Sequence, residues 1–273
     1  MSKFLCPVCG EKLCIIDKTM KCSNNHSFDI SSKGYVNLLI NTKNKNKTHG
    51  DDKEMVDARY KFLNCGFYQP LSDAICRISK KYLKKNSFIV DAGCGECYYT
   101  ANLYNYLKES EINCEVVGID ISKHALMYAS KRCKDLSLAV GSVFRMPIDD
   151  GAADLLLTVF SPYSESEYKR IIKKSGYMIM VFGLENHLYS LKKAVYDTPY
   201  KNAPSDYELD GFELLETDEL KYNISLDSNE QVKNLFAMTP YYHKTSFKDK
   251  QKLDKIDKLD TEIEFCVAIY KKL

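Results

Sequence analysis

Phe88 to Thr100 reads FIVDAGCGECYYT. Phe88, Ile89 and Val90 form an apolar, largely β-branched run, Asp91 closes it, Gly93 and Gly95 flank a cysteine, and Tyr98 and Tyr99 open a helical pattern. The stretch predicts a strand, a tight turn and a helix. Glycines at such a turn let the backbone pass close to a bound ligand and adopt angles that a side chain forbids. A nucleotide-type ligand fits there; a strand and helix joined by a convenient glycine turn is the plainer alternative.

Two phosphate-binding patterns are excluded. G-x-G-x-x-G fails because Tyr98 stands three residues beyond Gly95, and no Lys-Ser or Lys-Thr follows to make a P-loop. D-x-G-x-G after an apolar strand instead resembles the first motif of Rossmann-like S-adenosylmethionine (SAM)-dependent methyltransferases. In these the turn holds the amino-acid end of the cofactor. A second apolar run, EVVGIDI from Glu115 to Ile121, ends in Asp120, and Ser122 then caps a helix through Ala125, Leu126 and Ala129. An acid at the end of the second strand, a little over twenty residues past the glycine turn, is placed to accept hydrogen bonds from ribose hydroxyls. A helix cap or a solvated turn is the other reading of Asp120.

The chain has 273 residues, 45% hydrophobic and 28% charged, which suits one large domain with a small appendage and a sizeable core. No apolar run is long enough to cross a bilayer and no apolar leader opens the chain, so no membrane partner and a cytoplasmic location are expected. Eleven scattered cysteines fit a reducing compartment rather than a disulfide framework. A net charge of +2 does not announce nucleic acid. The run NTKNKNKTH, residues 41–49, is polar and lysine-rich, and reads either as a solvated connector or as a phosphate-contacting arm.

Near the N-terminus, Cys6 and Cys9 stand in CPVCG, followed after twelve residues by Cys22 and then His26. C-x2-C and C-x3-H at this spacing can close a tetrahedron around Zn2+, and four protein ligands with no open position make a structural site. Cys14 lies in the apolar run Leu13 to Ile16 and reads as a strand residue.

CPVCG, CSNNHSFDISSKGYVNLL, GDDKEMVDAR, GFYQPL and DAGCGECYYT follow one another in that order, and GFELLETDEL and FAMTP come later. In this the chain resembles, over nearly its whole length, the RlmA family, SAM-dependent methyltransferases that modify N1 of a guanine in a hairpin of 23S ribosomal RNA. The resemblance implies an α/β, Rossmann-like class I fold with a mostly parallel seven-stranded sheet. It divides the chain into a zinc ribbon over residues 1–36, a basic linker with cleft-covering helices over 37–85, and the methyltransferase domain over 86–273. It places Tyr68, Asp91, Gly93, Gly95, Glu96, Cys97, Asp120, Ile121, Ser142, Val143 and His187 against SAM. Cys97 stands where the family commonly has a glycine, adding a side chain beside the methionine end of the cofactor.

DLLLTVF, from Asp154 to Phe160, is a buried strand, and Ser161, Pro162 and Tyr163 follow it. In methyltransferases of this class, methyl and acceptor meet beyond this strand, and ligands bind outside the carboxyl ends of strands in open α/β sheets. Phe160, Ser161, Pro162 and Tyr163 are the candidates for holding an extracted base, with Phe160, Pro162 and Tyr163 as a stacking platform. Tyr163 reads equally as a surface loop aromatic, and no residue is marked by spacing as a proton acceptor. Further elements are helices over Asp51 to Leu63, Glu165 to Lys174 and Lys244 to Lys258, and a closing strand EIEFCVAIY with Ile263, Phe265, Val267 and Ile269 inward. The ribbon and Lys43 to Lys47 are expected to grip the RNA; a homodimer is compatible with the sequence. The competing readings are a methyltransferase of a small molecule and a non-catalytic RNA-binding protein on the same scaffold.

Overall fold

The computed structural model describes residues 3–40, 50–204 and 207–273. Lys43 to Lys47 therefore lie outside the described residues. Four short strands, β1 (Cys14–Ile16), β2 (Thr19–Lys21), β3 (Ser27–Asp29) and β4 (Tyr35–Asn37), precede helices α1 (Lys53–Asn64) and α2 (Gln69–Tyr82). Strands and helices then alternate as β5 (Ser87–Ala92), α3 (Tyr98–Glu109), β6 (Cys114–Asp120), α4 (Lys123–Arg132), β7 (Ser137–Val140), β8 (Ala153–Val159), α5 (Glu165–Ile171) and β9 (Ile172–Gly183). They are followed by α6 (Tyr189–Val195), β10 (Phe212–Leu226), α7 (Asn229–Ala237), α8 (Phe247–Lys250) and β11 (Leu259–Lys272).

The main sheet runs β10-β11-β9-β8-β5-β6-β7-β4. Its pairs are parallel from β9 through β4, and β11 runs antiparallel to both β9 and β10. Seven of these strands form the expected Rossmann-like methyltransferase sheet. The eighth is β4, where Tyr35, Val36 and Asn37 pair with Leu138, Ala139 and Val140 of β7. An uncovered β7 would leave a row of backbone donors and acceptors unpaired, and β4 satisfies them. The smaller sheet, β1-β2-β3, is the ribbon.

The central strands of the main sheet are buried on both faces, so their successive residues enter different cores. Phe88 and Val90 face the core that also contains Phe4, Cys6, Leu13, Met20 and Cys22 of the ribbon. Ile89 faces the other core, with Leu71, Ile75 and Ile78 of α2 and Leu103 of α3. The closing strand shows the same division. Ile263, Phe265, Val267 and Ile269 belong to the second core, while Cys266, Ala268 and Tyr270 belong to the first. Each fully buried aliphatic side chain contributes roughly 1.5–3 kcal/mol relative to exposure, so a strand buried on both sides is held strongly.

Two local expectations are corrected and a third holds. The helix over Glu165 to Lys174 stops at Ile171, because Ile172 is fully buried and pairs with Ala153 at the start of β9. The charged helix over Lys244 to Lys258 is broken into α8 and flanking 3-10 turns; over Lys244 to Lys258 the only buried apolar side chain is Leu253, too little for a helix to bury as a face. In the run Leu13 to Ile16 the strand expected for Cys14 forms, with Ile15 and Ile16 more than half exposed.

Candidate functional site

The carboxyl ends of β5, β6 and β8 open onto a cleft of about 600 Å³, in the range of small-molecule sites. Gly93 and Gly95 both take positive φ, +82° and +53°, and so shape the turn after β5. A Cβ on Gly93 would lie 2.2 Å from Ser161 Oγ, so the loop after β8 closes directly on the glycine turn. Asp120, at the end of β6, accepts from Gly95 N at 2.8 Å and from Ser122 N at 2.7 Å. Its carboxylate thus ties the turns after β5 and β6 together and keeps further acceptor positions for hydroxyl donors.

Helix α1 forms the opposite wall. Asp52 caps it by accepting from Met55 N, and Met55, Arg59 and Leu63 line the cleft. Arg59 pairs with Asp51 and donates to Met238 O at 3.1 Å, joining α1 to the segment after α7. Ser122 Oγ donates to Asp51 O at 3.0 Å, fastening that wall to the end of β6.

The cleft brings together Tyr68, Asp91, Gly93, Gly95, Glu96, Asp120, Ile121, Ser142, Val143 and His187, and also Phe160, Ser161 and Pro162. Two expected neighbours lie elsewhere. Cys97 sits in the left-handed conformation at the head of α3, fully buried, with its side chain in the core shared with Cys133 rather than on the cleft. Tyr163 packs edge-on against Tyr168, ring centroids 5.5 Å apart, in the core on the ribbon side of the sheet. Tyr168 donates to Pro162 O at 2.9 Å and so pins the loop just where the chain turns inward. Phe160 stays half exposed on the cleft, its ring 5.2 Å from that of Phe265.

Glu96 is committed to a protein partner. Arg132 Nε and Nη2 donate to its two oxygens at 2.6 and 2.8 Å, and the guanidinium lies over the rings of Tyr60 and Tyr98. Burial raises the Glu96 pKa, against which Arg132 acts. His187 Nδ1 accepts from Glu264 N at 3.3 Å, so the neutral ring carries its proton on Nε2. Burial, with Lys192 nearby, pushes its pKa down to about 3. A neutral donor of this kind is no proton acceptor near neutral pH.

Several cleft residues escaped the sequence reading: Asp51, Met55, Arg59, Tyr99, Asn202, and Thr239 to Tyr241. Arg59 and Met55 fall in GDDKEMVDAR and Thr239 in FAMTP, strings that carried the family resemblance without pointing to roles. Asn202 lies in an irregular segment with no periodic or motif signal.

The ribbon holds a second arrangement of ligands. Cys6 Sγ and Cys22 Sγ lie 3.5 and 3.4 Å from His26 Nδ1, and Cys9 Sγ lies 3.7 Å from Cys22 Sγ. All four ligand atoms fall within 4.8 Å of one another. Tetrahedral zinc with Zn–S bonds of about 2.3 Å needs sulfurs about 3.8 Å apart, so these residues fit structural Zn2+. Hydrogen bonding from the Glu11 backbone brings the Cys9 thiol down to about 6, towards the thiolate that a metal requires.

Residues 4–46 match the family described as RlmA, N-terminal, and residues 83–239 match a methyltransferase domain. The chain is 36% identical to YxjB of Bacillus subtilis, provisionally assigned as a 23S rRNA (guanine-N(1)-)-methyltransferase, over 72% of this chain and 71% of that protein. It is 33% identical to the 23S rRNA (guanine(748)-N(1))-methyltransferase of Streptomyces fradiae, over 70% of this chain and 66% of that one. The chain belongs to the RlmA-type 23S rRNA (guanine-N1-)-methyltransferase family. Among solved structures, the YcgJ protein of Bacillus subtilis aligns with a TM-score of 0.48 at 12% identity, covering 74% of this chain and 97% of that one.

For an RlmA-type methyltransferase the cofactor is SAM, and the cleft suits it. Asp91 is fully buried; Thr100 Oγ1 donates to one carboxylate oxygen, and the other, Oδ1, has no partner among the described residues. Burial, reinforced by the nearby Asp120, pushes the Asp91 pKa up to about 7. An unpartnered carboxylate oxygen beside a glycine cradle calls for a cationic ligand, and SAM carries an ammonium and a sulfonium.

Proposed function

We propose that this chain transfers a methyl group from SAM to N1 of a guanine in a hairpin of 23S rRNA, in the cytoplasm. The observation that carries this reading is the continuity of one cleft from the glycine turn and Asp120 to Phe160, Ser161 and Pro162 beyond β8, in a chain whose relatives bear guanine-N1 methyltransferase names. Gly93, Gly95, Asp91 and Asp120 would hold the cofactor, with Ile121, Ser142 and Val143 beside its adenosine, and Phe160 and Pro162 would stack the extracted base. Bound SAM supplies an electrophilic methyl group. The protein's part is to place guanine N1 in line with it, which needs few side chains because positioning supplies much of the acceleration. N1 would give up its proton to water, the lone pair so freed would form the new C–N bond, and the methyl–sulfur bond would break towards sulfur to leave S-adenosylhomocysteine. His187, held neutral by burial with Nδ1 bonded to Glu264 N, would not serve as the base.

The ribbon over residues 1–36 and Lys43 to Lys47 would contact the RNA backbone, leaving residues 86–273 to the chemistry. A charge-based grip weakens with salt as counterions are released. The test is transfer of labelled methyl to unmodified 23S rRNA, with primer-extension stops locating the product, since N1 methylation blocks base pairing. One stop within a hairpin is expected; no incorporation despite SAM binding would overturn the reading.

A further inference from the structure

Asn202 lines the same cleft as Phe160, Ser161 and Pro162, and its side chain meets Tyr241 there. Its backbone N–H donates to Glu185 O at 2.9 Å, and its side-chain Nδ2 donates to Leu184 O at 2.8 Å. Because a backbone carbonyl only accepts, this bond fixes which end of the amide is nitrogen. Oδ1 then faces away from Leu184 and accepts from Lys192 Nζ at 2.6 Å and from Tyr241 Oη at 3.3 Å. Oδ1 has both its acceptor positions filled, whereas Nδ2 has one partner among the described residues and a second N–H to offer.

Lys192 is unusual in its own right. It is 1% exposed, and no described carboxylate lies within ion-pair range. Its ammonium is instead held against the rings of Tyr200 and Tyr241, 4.6 and 4.9 Å from their centroids, and by Asn202. Aromatic faces offset only part of the cost of burying a cation. A charge-assisted bond to Oδ1 polarises the amide and makes its N–H groups stronger donors.

We infer that Asn202, oriented and polarised by Lys192, donates a hydrogen bond to O6 of the acceptor guanine and stabilises the negative charge that gathers there as N1 loses its proton. This rests on the guanine-N1 reading above. Loss of the N1 proton delocalises charge onto O6, and a preorganised donor aimed at developing charge is the kind of interaction that lowers a barrier rather than merely binding substrate. Asn202 is then the catalytic residue and Lys192 its positioning residue. The same donor discriminates against adenine, whose 6-amino group would meet it donor to donor and leave both unpaired.

The test compares the full-length protein with Asn202→Ala and Lys192→Met, using an in vitro transcribed 23S rRNA fragment and SAM. Calorimetric SAM affinity and kcat are measured from neutral to alkaline pH. Other titratable or charged groups around the pair are Tyr196 and Lys193 on α6, Tyr200 and the Lys201–Glu185 pair beside it, His187 before α6, Tyr241 after α7, and Glu262 and Glu264 on β11. In Asn202→Ala, kcat should fall about 100-fold near neutral pH with SAM affinity unchanged, and the deficit should shrink as rising pH removes the N1 proton unaided. Lys192→Met should show the same pH trend at a smaller amplitude, and it carries the test if Asn202→Ala does not fold. A kcat within about twofold of wild type, or a pH-independent loss that follows weakened SAM binding, overturns the assignment. If the wild-type protein itself transfers no methyl to the RNA, the guanine-N1 reading falls and this one with it. If wild type is active and the variants match it, only this inference fails.

Discussion

A Cβ placed on Gly93 would lie 2.2 Å from Ser161 Oγ and 2.7 Å from Ser161 Cβ, so the glycine turn after β5 and the loop after β8 touch at a position only glycine can fill. Two separate constraints act there, the contact and a φ of +82°. Gly93→Ala should therefore lower SAM affinity by at least about tenfold while far-ultraviolet circular dichroism stays native. Adding Ser161→Gly relieves the contact but not the backbone strain, which costs about 1–2 kcal/mol for a residue with a side chain. Calorimetry on both variants should show partial recovery in the double; full recovery would mean that the contact alone matters.

SAM affinity should depend on pH through Asp91. Its carboxyl, raised to about 7 by burial, holds a proton in the cofactor-free protein up to that pH. A cationic ligand favours the ionised form, so binding releases a proton and affinity rises through about pH 7 before levelling off. The folding linkage has the opposite slope. A folded-state pKa above the unfolded value adds stability at low pH that is lost as pH climbs towards about 7. Asp91→Asn should flatten the pH dependence of both SAM binding and the melting temperature. An unchanged slope would assign the proton elsewhere.

Arg132 and Glu96 form a two-pronged ion pair whose acid is almost wholly buried, with a side-chain exposure of 1%. Arg132→Met strands a buried carboxylate and should cost about 3–5 kcal/mol of stability. Glu96→Gln combined with Arg132→Met should cost less than the Arg132 change alone. Chemical denaturation of the two single variants and the double measures this coupling. Additive losses would show that the pair acts as two independent side chains.

Removing zinc should expose three thiols, those of Cys6, Cys9 and Cys22. A colorimetric thiol count under native conditions, before and after a strong chelator, is expected to rise by these three. Because Phe4, Leu13 and Met20 share a core with Phe88 and Val90, the melting temperature should fall for the whole protein rather than for a detached module. A metal-free protein with an unchanged melting temperature would contradict that sharing.

Much of the fold was legible in the order of residues. The β-branched run before Asp91, the glycines after it, the acid at the end of the second apolar run and the C-x2-C and C-x3-H pairs each follow from local rules: strand period, positive φ and ligand spacing. These features act over a few residues, so residue order was enough for the Rossmann-like scaffold, the glycine turn and the Cys3His cluster. It could not determine that β4 would cover the open edge of β7, that the Cys97 side chain would turn into the core, or that Tyr163 would face away from the cleft. Those outcomes depend on which surface is left uncovered once distant segments meet. Only long-range packing settles that Glu96 belongs to Arg132, that His187 Nδ1 accepts from Glu264 N, and that buried Lys192 stands behind Asn202 of the cleft wall. In each case the deciding partner is far along the chain or sits in an irregular segment, and a hydrogen bond or an ion pair has no periodicity to betray it.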